Sequence, residues 1–254
     1  MGAGHAHALY VHEHSLVHRL APQVKVASAL SFVFLVAITP REAIWGFLIY
    51  ATAIAAVAMV SKIKPSFMAV RMLGILPFVA FAFLIPFIAS GQQIEVLGVD
   101  VSREGLWAAW NILAKASIGA ATSIVLAATT EVPDILAGMN RLKVPVVLTS
   151  IAGFMIRYLE LIVEEIGRIR IAMASRGYDP RWLWQARPIA ASAGAMFVRS
   201  YERGERVYDA MVARGFTGEI PELRRRDPSA RDWLAGALLP VLGLLVSGIG
   251  LVAT

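Results

Sequence analysis

Long uncharged stretches alternate along the chain with short charged connections. An α-helix needs about 20 apolar residues to cross about 30 Å of hydrocarbon, and four of the stretches are close to this length. A fifth is apolar but covers only about 21 Å at 1.5 Å per residue. The pattern therefore predicts five membrane-spanning helices, at 26–39, 43–60, 72–94, 105–130 and 233–254.

The composition agrees with a lipid environment. Apolar residues make up 57% of the 254 residues and charged residues only 17%, against about 45–50% and about 25% in ordinary soluble domains. The chain has no cysteine, which excludes a disulfide scaffold, a thiolate nucleophile and a thiolate metal site. In a membrane protein the net charge of +6 is typical of cytoplasmic loops, so we expect no nucleic-acid partner.

The charges of the loops predict the orientation in the lipid bilayer. The connection at 61–71 carries three basic residues and no acid, whereas the connection at 91–104 carries three acids and one Arg. By the positive-inside rule the first faces the cytoplasm and the second faces outward. We therefore expect a multi-pass protein of the plasma (inner) membrane with a cytoplasmic N-terminus. Its predicted parts are a His-rich N-terminal segment at 1–25, a four-helix membrane region at 26–130, a cytoplasmic region at 131–231 and a C-terminal membrane helix at 232–254.

The cytoplasmic region is highly charged, yet its pattern is not that of a soluble domain. It predicts two long amphipathic helices, at about 146–176 and about 188–214. The first opens very apolar, so that 146–163 is also a candidate for a sixth, partial membrane segment. Beyond Arg157 this helix becomes mixed, and Glu160, Glu164 and Arg168 are predicted to share one face at i, i+4 spacing.

A short repeat ends both amphipathic helices. The sequence Met-Ala-Ser-Arg-Gly-Tyr at 173–178 recurs as Met-Val-Ala-Arg-Gly-Phe at 211–216. Each Gly can take the left-handed conformation that stops a helix, and each Arg then falls in the last turn, where the helix dipole favours a cation. A planar guanidinium there can offer two parallel hydrogen bonds to a carboxylate of another chain. Two simple helix stops are the alternative, which the matching second copy weakens.

The paired motifs resemble those of the transmembrane T component of energy-coupling-factor (ECF) transporters, a branch of the ABC transporters. The segment at 129–145, with Thr129-Thr130 and Leu142-Lys143-Val144-Pro145, is similar to the family's entry into its coupling helices. The segment His-Arg-Leu-Ala-Pro-Gln-Val-Lys at 18–25 resembles the family's opening, with Ala21 and Gln23 in place of an Asp and an Arg. The resemblance implies an all-α integral membrane protein with long cytoplasmic coupling helices.

The role that the resemblance implies is mechanical. In such transporters two cytoplasmic ABC ATPase subunits bind the coupling helices, and their ATP-driven motion passes to a small integral membrane subunit that binds the substrate. The resemblance implies that the partner subunits use the ATP, and that this chain is a non-catalytic subunit without a cofactor. The residues that it assigns to ATPase coupling are Ser175, Arg176, Gly177, Ala213, Arg214 and Gly215.

The cargo is predicted from the same resemblance, since the pattern looks most like the cobalt/nickel type. Neutral imidazole suits both ions, but we interpret the N-terminal histidines as a tail that binds metal only loosely or not at all, and we assign no metal ligand. The same scaffold with a vitamin such as biotin as cargo is an alternative. The histidines are His5, His7, His12, His14 and His18.

Lys115 supports an alternative of another class. A charge inside a membrane helix costs at least about 2.5 kcal/mol, which makes an intramembrane enzyme that uses Lys115 a hypothesis. A hydrogen bond to a carbonyl or a structural ion pair is the other interpretation. The sequence contains no Gly-rich phosphate loop with Lys-Ser/Thr, no His-Glu-x-x-His and no nucleophile elbow, so no catalytic residue is predicted.

Proline and glycine residues carry two further expectations about the membrane helices. Pro77 and Pro86 are expected to kink the third span. The glycines of the last span permit close packing, either against the substrate-binding partner or against neighbouring helices of this chain. These glycines are Gly236, Gly243, Gly248 and Gly250.

Overall fold

The computed structural model describes residues 10–253 except 12, 14, 90, 91, 97, 98, 179–181 and 219–226. The described residues form an all-α membrane protein with one small antiparallel β-hairpin, which confirms the predicted fold class. The elements are α1 Pro22–Ile38, α2 Ile44–Val60, α3 Pro65–Met72, α4 Leu76–Ile88, β1 Gln93–Val96, β2 Val99–Ser102, α5 Arg103–Thr129, α6 Val132–Arg141, α7 Val146–Ser175, α8 Arg187–Ala213 and α9 Ala230–Ala253.

Four helical segments are long and apolar enough to cross a membrane. Three of them, made by α3 with α4, by α5 and by α9, correspond to predicted spans. The fourth is α7, whose beginning the sequence left open as a sixth, partial segment. The helices α1 and α2 are apolar but have 17 residues each, so they are short for a full crossing.

The third span begins and ends earlier than the predicted 72–94. The helical segment starts at Pro65 and ends at Ile88, and a β-hairpin follows it. Pro65 sets the φ angle of a first helical turn, so the helix begins inside the charged connection. The charge of Arg71 is accommodated because its guanidinium carbon lies 3.3 Å from the centroid of the Phe67 ring.

A short 3₁₀ turn at Leu73–Ile75 separates α3 from α4, directly before Pro77. Pro77 has no N–H to donate to the preceding turn, so the regular α-helical hydrogen bonding is interrupted there. This irregular turn lies where a kink was expected from Pro77. By contrast, α4 continues through Pro86.

The described helices divide into two compact units. The first, which we call the helix bundle, contains α1 to α6 together with α9. The second, which we call the coupling hairpin, contains α7 and α8. The boundary between the two units falls between Leu142 and Lys143.

An aromatic cluster forms the centre of the helix bundle. Tyr50 is fully buried and packs edge-to-face on Phe32 and Phe47, with ring centroids 5.4 and 6.3 Å apart. The Tyr50 hydroxyl lies 3.0 Å from the Thr39 hydroxyl and donates to the Gly243 carbonyl at 3.1 Å. These contacts join α1, α2 and α9, and they satisfy a polar group that would otherwise be costly to bury.

Glycines let α9 lie close to its neighbours in the bundle. Gly236, Gly243 and Gly250 are seven residues apart on one face of α9. A Cβ added at Gly236 would lie 2.2 Å from Cγ1 of Val24, and those at the other two would meet side chains at 3.0 and 3.4 Å. Gly248 has open space around it. Three of the four glycines therefore serve packing within this chain.

Candidate functional site: the Arg-Gly ends of the coupling hairpin

The two helices of the coupling hairpin run antiparallel where they touch. Near the middle of α7, Glu165 forms an ion pair with Arg199 of α8, with 2.9 Å between Oε1 and Nη2. Two turns further along α7, the sulfur of Met173 lies 4.0 Å from the hydroxyl of Ser192 in α8. Residues later in α7 thus contact residues earlier in α8. The end of α7 therefore meets the start of α8.

The ion pairs of α7 are made by Glu165, an acid outside the predicted set of Glu160, Glu164 and Arg168. Arg168 pairs with Glu165, with 2.9 Å between Nη2 and Oε2. Glu165 receives both Arg168 and Arg199 because it lies on the side of α7 that faces α8. An i, i+4 spacing by itself does not indicate which carboxylate faces a neighbouring helix.

The first Arg-Gly motif is a Schellman helix end. Gly177 has a φ of +73°, its N–H donates to the Ala174 carbonyl at 2.9 Å, and the Tyr178 N–H donates to the Met173 carbonyl at 3.1 Å. These are the two bonds that satisfy the last carbonyls of a helix when a left-handed residue follows it. The Met and the aromatic of the motif stand at the two positions whose side chains commonly meet in this arrangement.

The second motif repeats this geometry closely. Gly215 has a φ of +83°, its N–H donates to the Val212 carbonyl at 2.9 Å, and the Phe216 N–H donates to the Met211 carbonyl at 3.0 Å. The sequence repeat is therefore a repeat of backbone structure. The left-handed conformation predicted for both glycines is confirmed.

Arg176 and Arg214 are the cap residues directly after α7 and α8, one position beyond the predicted last turn. Both side chains are exposed, and the described part of the chain provides neither with an ion-pair partner. Because α8 has 27 residues and starts beside the end of α7, the two arginines lie about 40 Å apart, at opposite ends of α8.

The residues beside the two arginines are less alike. The Ser175 hydroxyl donates to the Ile171 carbonyl of its own helix at 3.0 Å, whereas Ala213 has no such group. The Tyr178 hydroxyl donates to the carbonyl of Gln185, in the short turn that leads into α8. Phe216 cannot form such a bond. The Tyr178 hydroxyl thus fastens the first motif to the turn before α8.

Next to the first motif, α7 and α8 enclose an apolar groove of about 590 Å³. Tyr178 and Met173 line one end of it, and Ile166 and Met196 line the other. The groove shows that the helices of the hairpin do not pack tightly along their whole length.

Lys115 is used in a hydrogen bond within the helix bundle. Its ammonium group donates to the carbonyl of Ala37, in the last turn of α1, at 2.7 Å. A second lysine forms the reciprocal bond from α1 to α5. The ammonium group of Lys25 at the start of α1 donates to the carbonyl of Thr129 at the end of α5, also at 2.7 Å. Each lysine thus stabilises the C-terminus of the antiparallel partner helix, which favours the structural interpretation of Lys115.

His18 is the one N-terminal histidine that lies among the described residues. Its Nε2–H donates to the Val11 carbonyl at 3.1 Å, and its Nδ1 accepts from the Ser15 hydroxyl at 2.7 Å, which is the neutral tautomer that this pattern requires. Burial lowers the pKa of His18. Both nitrogens are therefore engaged in fixing the N-terminal segment. The other four, at positions 5, 7, 12 and 14, lie outside the described residues.

A metal-binding cluster was not predicted from the sequence. Among the described residues there is no group of three or more His, Cys, Asp or Glu side chains that could hold a metal ion.

The membrane helices and the hairpin define an all-α, multi-pass membrane protein. Residues 13–224 match the family described as cobalt transport protein (CbiQ). The chain therefore belongs to this family and is a transmembrane T component of an ECF transporter of the cobalt/nickel type.

Three relatives illustrate the range of similarity. The cobalt transport protein CbiQ of Rhodobacter capsulatus is 29% identical over 62% of this chain and 64% of its own length. The energy-coupling factor transporter transmembrane protein EcfT of Ruminiclostridium cellulolyticum is 26% identical over 85% of each chain. The nickel permease LarQ of Lactiplantibacillus plantarum is 32% identical over 46% of this chain and 45% of its own. These names are those of transporter components, consistent with a non-catalytic subunit.

Proposed function

We propose that this chain transmits the ATP-driven motion of two cytoplasmic ABC ATPases to a separate small integral membrane subunit that binds Co²⁺ or Ni²⁺. The chain lies in the plasma (inner) membrane with its N-terminus in the cytoplasm. The ATPases bind at the two Arg-Gly helix ends, through Ser175-Arg176-Gly177 and Ala213-Arg214-Gly215. The ATP is bound and hydrolysed by the partners, and this chain needs no cofactor.

The exposure and spacing of Arg176 and Arg214 carry the proposal. Each arginine stands at the end of a long, uninterrupted helix, with its backbone fixed by a Schellman motif and its side chain free of partners among the described residues. A guanidinium presented in this way suits a carboxylate in a groove of another protein. Once such a pair is buried, removal of either partner costs about 3–5 kcal/mol, so the contact can transmit force.

Two similar sites about 40 Å apart favour two similar partners. The motifs share their Arg, Gly and aromatic residues and their hydrogen-bond pattern. Since they lie at opposite ends of one helix, two bound ATPases would hold α8 at both ends. Closure of the ATPase pair would then move the hairpin as a unit.

The proposed cargo is supported by the names of similar proteins. The relatives named for cobalt and for nickel support a divalent transition metal, while other relatives are named only as ECF transmembrane proteins. A vitamin such as biotin, bound by a different substrate subunit, is the alternative. The intramembrane-enzyme hypothesis is disfavoured because the Lys115 ammonium already donates to the Ala37 carbonyl.

Charge reversal at both motifs tests the coupling function. The chain is purified in mild detergent from its native membrane as the unsubstituted protein and with Arg176→Glu plus Arg214→Glu. We expect two ATPase subunits to accompany the unsubstituted chain and to be lost from the double variant. Arg206→Glu is the control, because Arg206 is another exposed arginine of α8, two turns before Arg214. Purification of the unsubstituted chain without any ATPase, while other membrane complexes stay intact, would contradict the proposal.

The cargo is tested separately with the purified complex in lipid vesicles. ATP-dependent uptake of Co²⁺, Ni²⁺ and biotin is compared under the same conditions. Uptake of either metal supports the proposed cargo. Uptake of biotin alone would keep the coupling role and replace the cargo.

A further inference from the structure

The link between α6 and α7 contains an unusual backbone conformation. Lys143 has a φ of +65°, in the left-handed region, which crowds the Cβ of any residue other than glycine. It is the first residue of the coupling hairpin, directly after the boundary with the helix bundle. Such strained residues cluster at switch regions, so an observed one justifies a hypothesis about function.

The other left-handed residues that directly follow a described helix are held by hydrogen bonds. Lys62, with a φ of +56°, donates its N–H to the Met59 carbonyl at 2.9 Å, and the following N–H of Ile63 donates to the Ala58 carbonyl at 3.1 Å. Gly177 and Gly215 are closed by the same pair of bonds. Within the described residues, no hydrogen bond closes the backbone N–H groups of Lys143 and Val144 in this way.

The neighbours of Lys143 in the link are restrained. The Leu142 N–H is bonded to the carbonyls of Gly138 and Met139, at the end of α6. Pro145 fixes its own φ and restricts Val144 to extended conformations. Lys143 is therefore the residue of the link whose dihedral angles can change without breaking a hydrogen bond or straining a proline.

One side of the link is fastened to the helix bundle. A Cβ added at Gly138 of α6 would lie 3.0 Å from the backbone of Pro22 and of Gln23 at the start of α1, so the two helices are in close backbone contact. In addition, Arg141 Nη1 donates to the side-chain oxygen of Gln23 at 3.3 Å. These contacts hold α6 to α1 up to the last turn before Lys143.

We infer that Lys143 is the pivot of the coupling hairpin: α6 stays fixed to α1 through Gly138 and Arg141, while α7 changes direction at Lys143 when the ATPases close. This inference rests on the proposed coupling function. A pivot of this kind concentrates the movement in one residue and leaves the helices on both sides intact.

Spin-label distances across the link test the pivot. The chain has no cysteine, so pairs of introduced cysteines take the labels alone. Ala137→Cys in α6 with Ile151→Cys in α7 spans the link, and Ala137→Cys with Leu30→Cys in α1 stays within the bundle. Pulsed electron paramagnetic resonance is recorded on the complex with its ATPases, without nucleotide and with trapped ATP. We expect the distance across the link to shift between the two states and the distance within the bundle to stay constant.

Substitutions at Lys143 sharpen the test. Lys143→Gly accepts the left-handed conformation at no steric cost and should retain the shift and the metal uptake. Lys143→Val has a β-branched side chain that disfavours this conformation, so it should lose the shift and most of the uptake while the ATPases stay bound. Lys62→Val is the control, because it strains a closed turn; it should lower the thermal stability without removing the shift.

The outcomes separate the pivot from the proposed function. If the unsubstituted chain binds its ATPases but the distance across the link is the same in both states, the pivot is wrong and the coupling function stands. A normal shift in Lys143→Val would also overturn it. If the unsubstituted chain binds no ATPase, the coupling function fails and the pivot fails with it.

Discussion

The helix bundle and the coupling hairpin bury their side chains to very different extents. In the bundle, Tyr50 and Phe32 are fully buried. In the hairpin, α8 has no buried residue and α7 has only Thr149, while Phe197 and Ile171 are about 70% exposed. Large apolar side chains are exposed in the bundle as well, such as Phe83 and Ile88, so the two units differ in their buried core and not in their apolar surface. The bundle therefore has a core of its own, whereas the described part of the hairpin has almost none.

The largest expected effect is a loss of ATPase binding in the hairpin without a loss of stability of the chain. Arg214→Ala should weaken ATPase binding by about 3–5 kcal/mol, because it leaves the partner's carboxylate buried without its cation. The thermal unfolding midpoint of the isolated chain should not change, since Arg214 is exposed and contributes to no core. Titration with the purified ATPases and a melting curve in detergent measure the two effects. An unchanged ATPase affinity would show that the second helix end does not bind them.

The next largest expected effect is a loss of stability in the helix bundle. Gly236→Val should destabilise it by about 1–3 kcal/mol, because the new side chain would overlap Val24 and overpack the contact between α9 and α1. Thermal unfolding in detergent is the measurement. Gly248→Val is the matched control, since nothing lies within 4 Å of a Cβ at that position. Equal melting temperatures for both variants would mean that α9 does not approach α1 as closely as described.

Replacement of Lys115 distinguishes a structural role from a chemical one. Lys115→Met leaves the Ala37 carbonyl without its donor, which should cost about 1–3 kcal/mol of stability. Uptake per folded complex should stay the same if the ammonium group only stabilises the end of α1. Stability is followed by thermal unfolding and uptake in vesicles. A stable variant without any transport would instead assign the ammonium group a chemical role.

A smaller change removes the difference between the two Arg-Gly ends. Tyr178→Phe deletes the hydroxyl that donates to the Gln185 carbonyl and makes the first motif like the second. The loss of about 0.5–1.5 kcal/mol should speed hydrogen exchange of the amides at the start of α8. Phe216→Tyr, the reciprocal control, should leave exchange at the end of α8 unchanged. Slower or equal exchange in Tyr178→Phe would contradict the fastening role of the hydroxyl.

The smallest expected effect is a pH dependence confined to the bundle. Burial lowers the pKa of His18 below its ordinary value of 6.5. As the pH falls below 6.5, the unfolded chain binds a proton at this residue before the folded chain does, so stability decreases toward acidic pH and His18 has no such effect above that range. Thermal unfolding of the unsubstituted chain and of His18→Asn across this range measures it. An identical acid slope in the two proteins would assign the slope to other groups.

Local patterns in the sequence predicted most of the helices and the backbone of both Arg-Gly ends. An apolar stretch of sufficient length needs only its own composition to form a membrane helix, as α9 illustrates and as α5 does in spite of Lys115. A Gly followed by an aromatic, with a Met four residues before the Gly, contains within six residues all that a Schellman end requires. The helix α6 likewise has local start signals, Pro133 in its first turn and Asp134 beside it.

Contacts between distant residues were beyond the reach of these patterns. The sequence did not indicate that Glu165 rather than Glu164 faces α8, that Lys25 reaches the end of α5, or that Lys143 takes a left-handed conformation. Each of these depends on how neighbouring elements approach each other. One step along a helix turns the direction of the side chain by about 100°, so adjacent residues face different neighbours.

The sequence by itself therefore determined the membrane class, most of the helices and the repeated helix end, because these depend on composition and on hydrogen bonds between near neighbours. Only the tertiary structure decided which glycines pack, which carbonyls the two lysines stabilise and that the two arginines lie at opposite ends of α8. These features depend on long-range packing, in which side chains far apart in the chain compete for the same space.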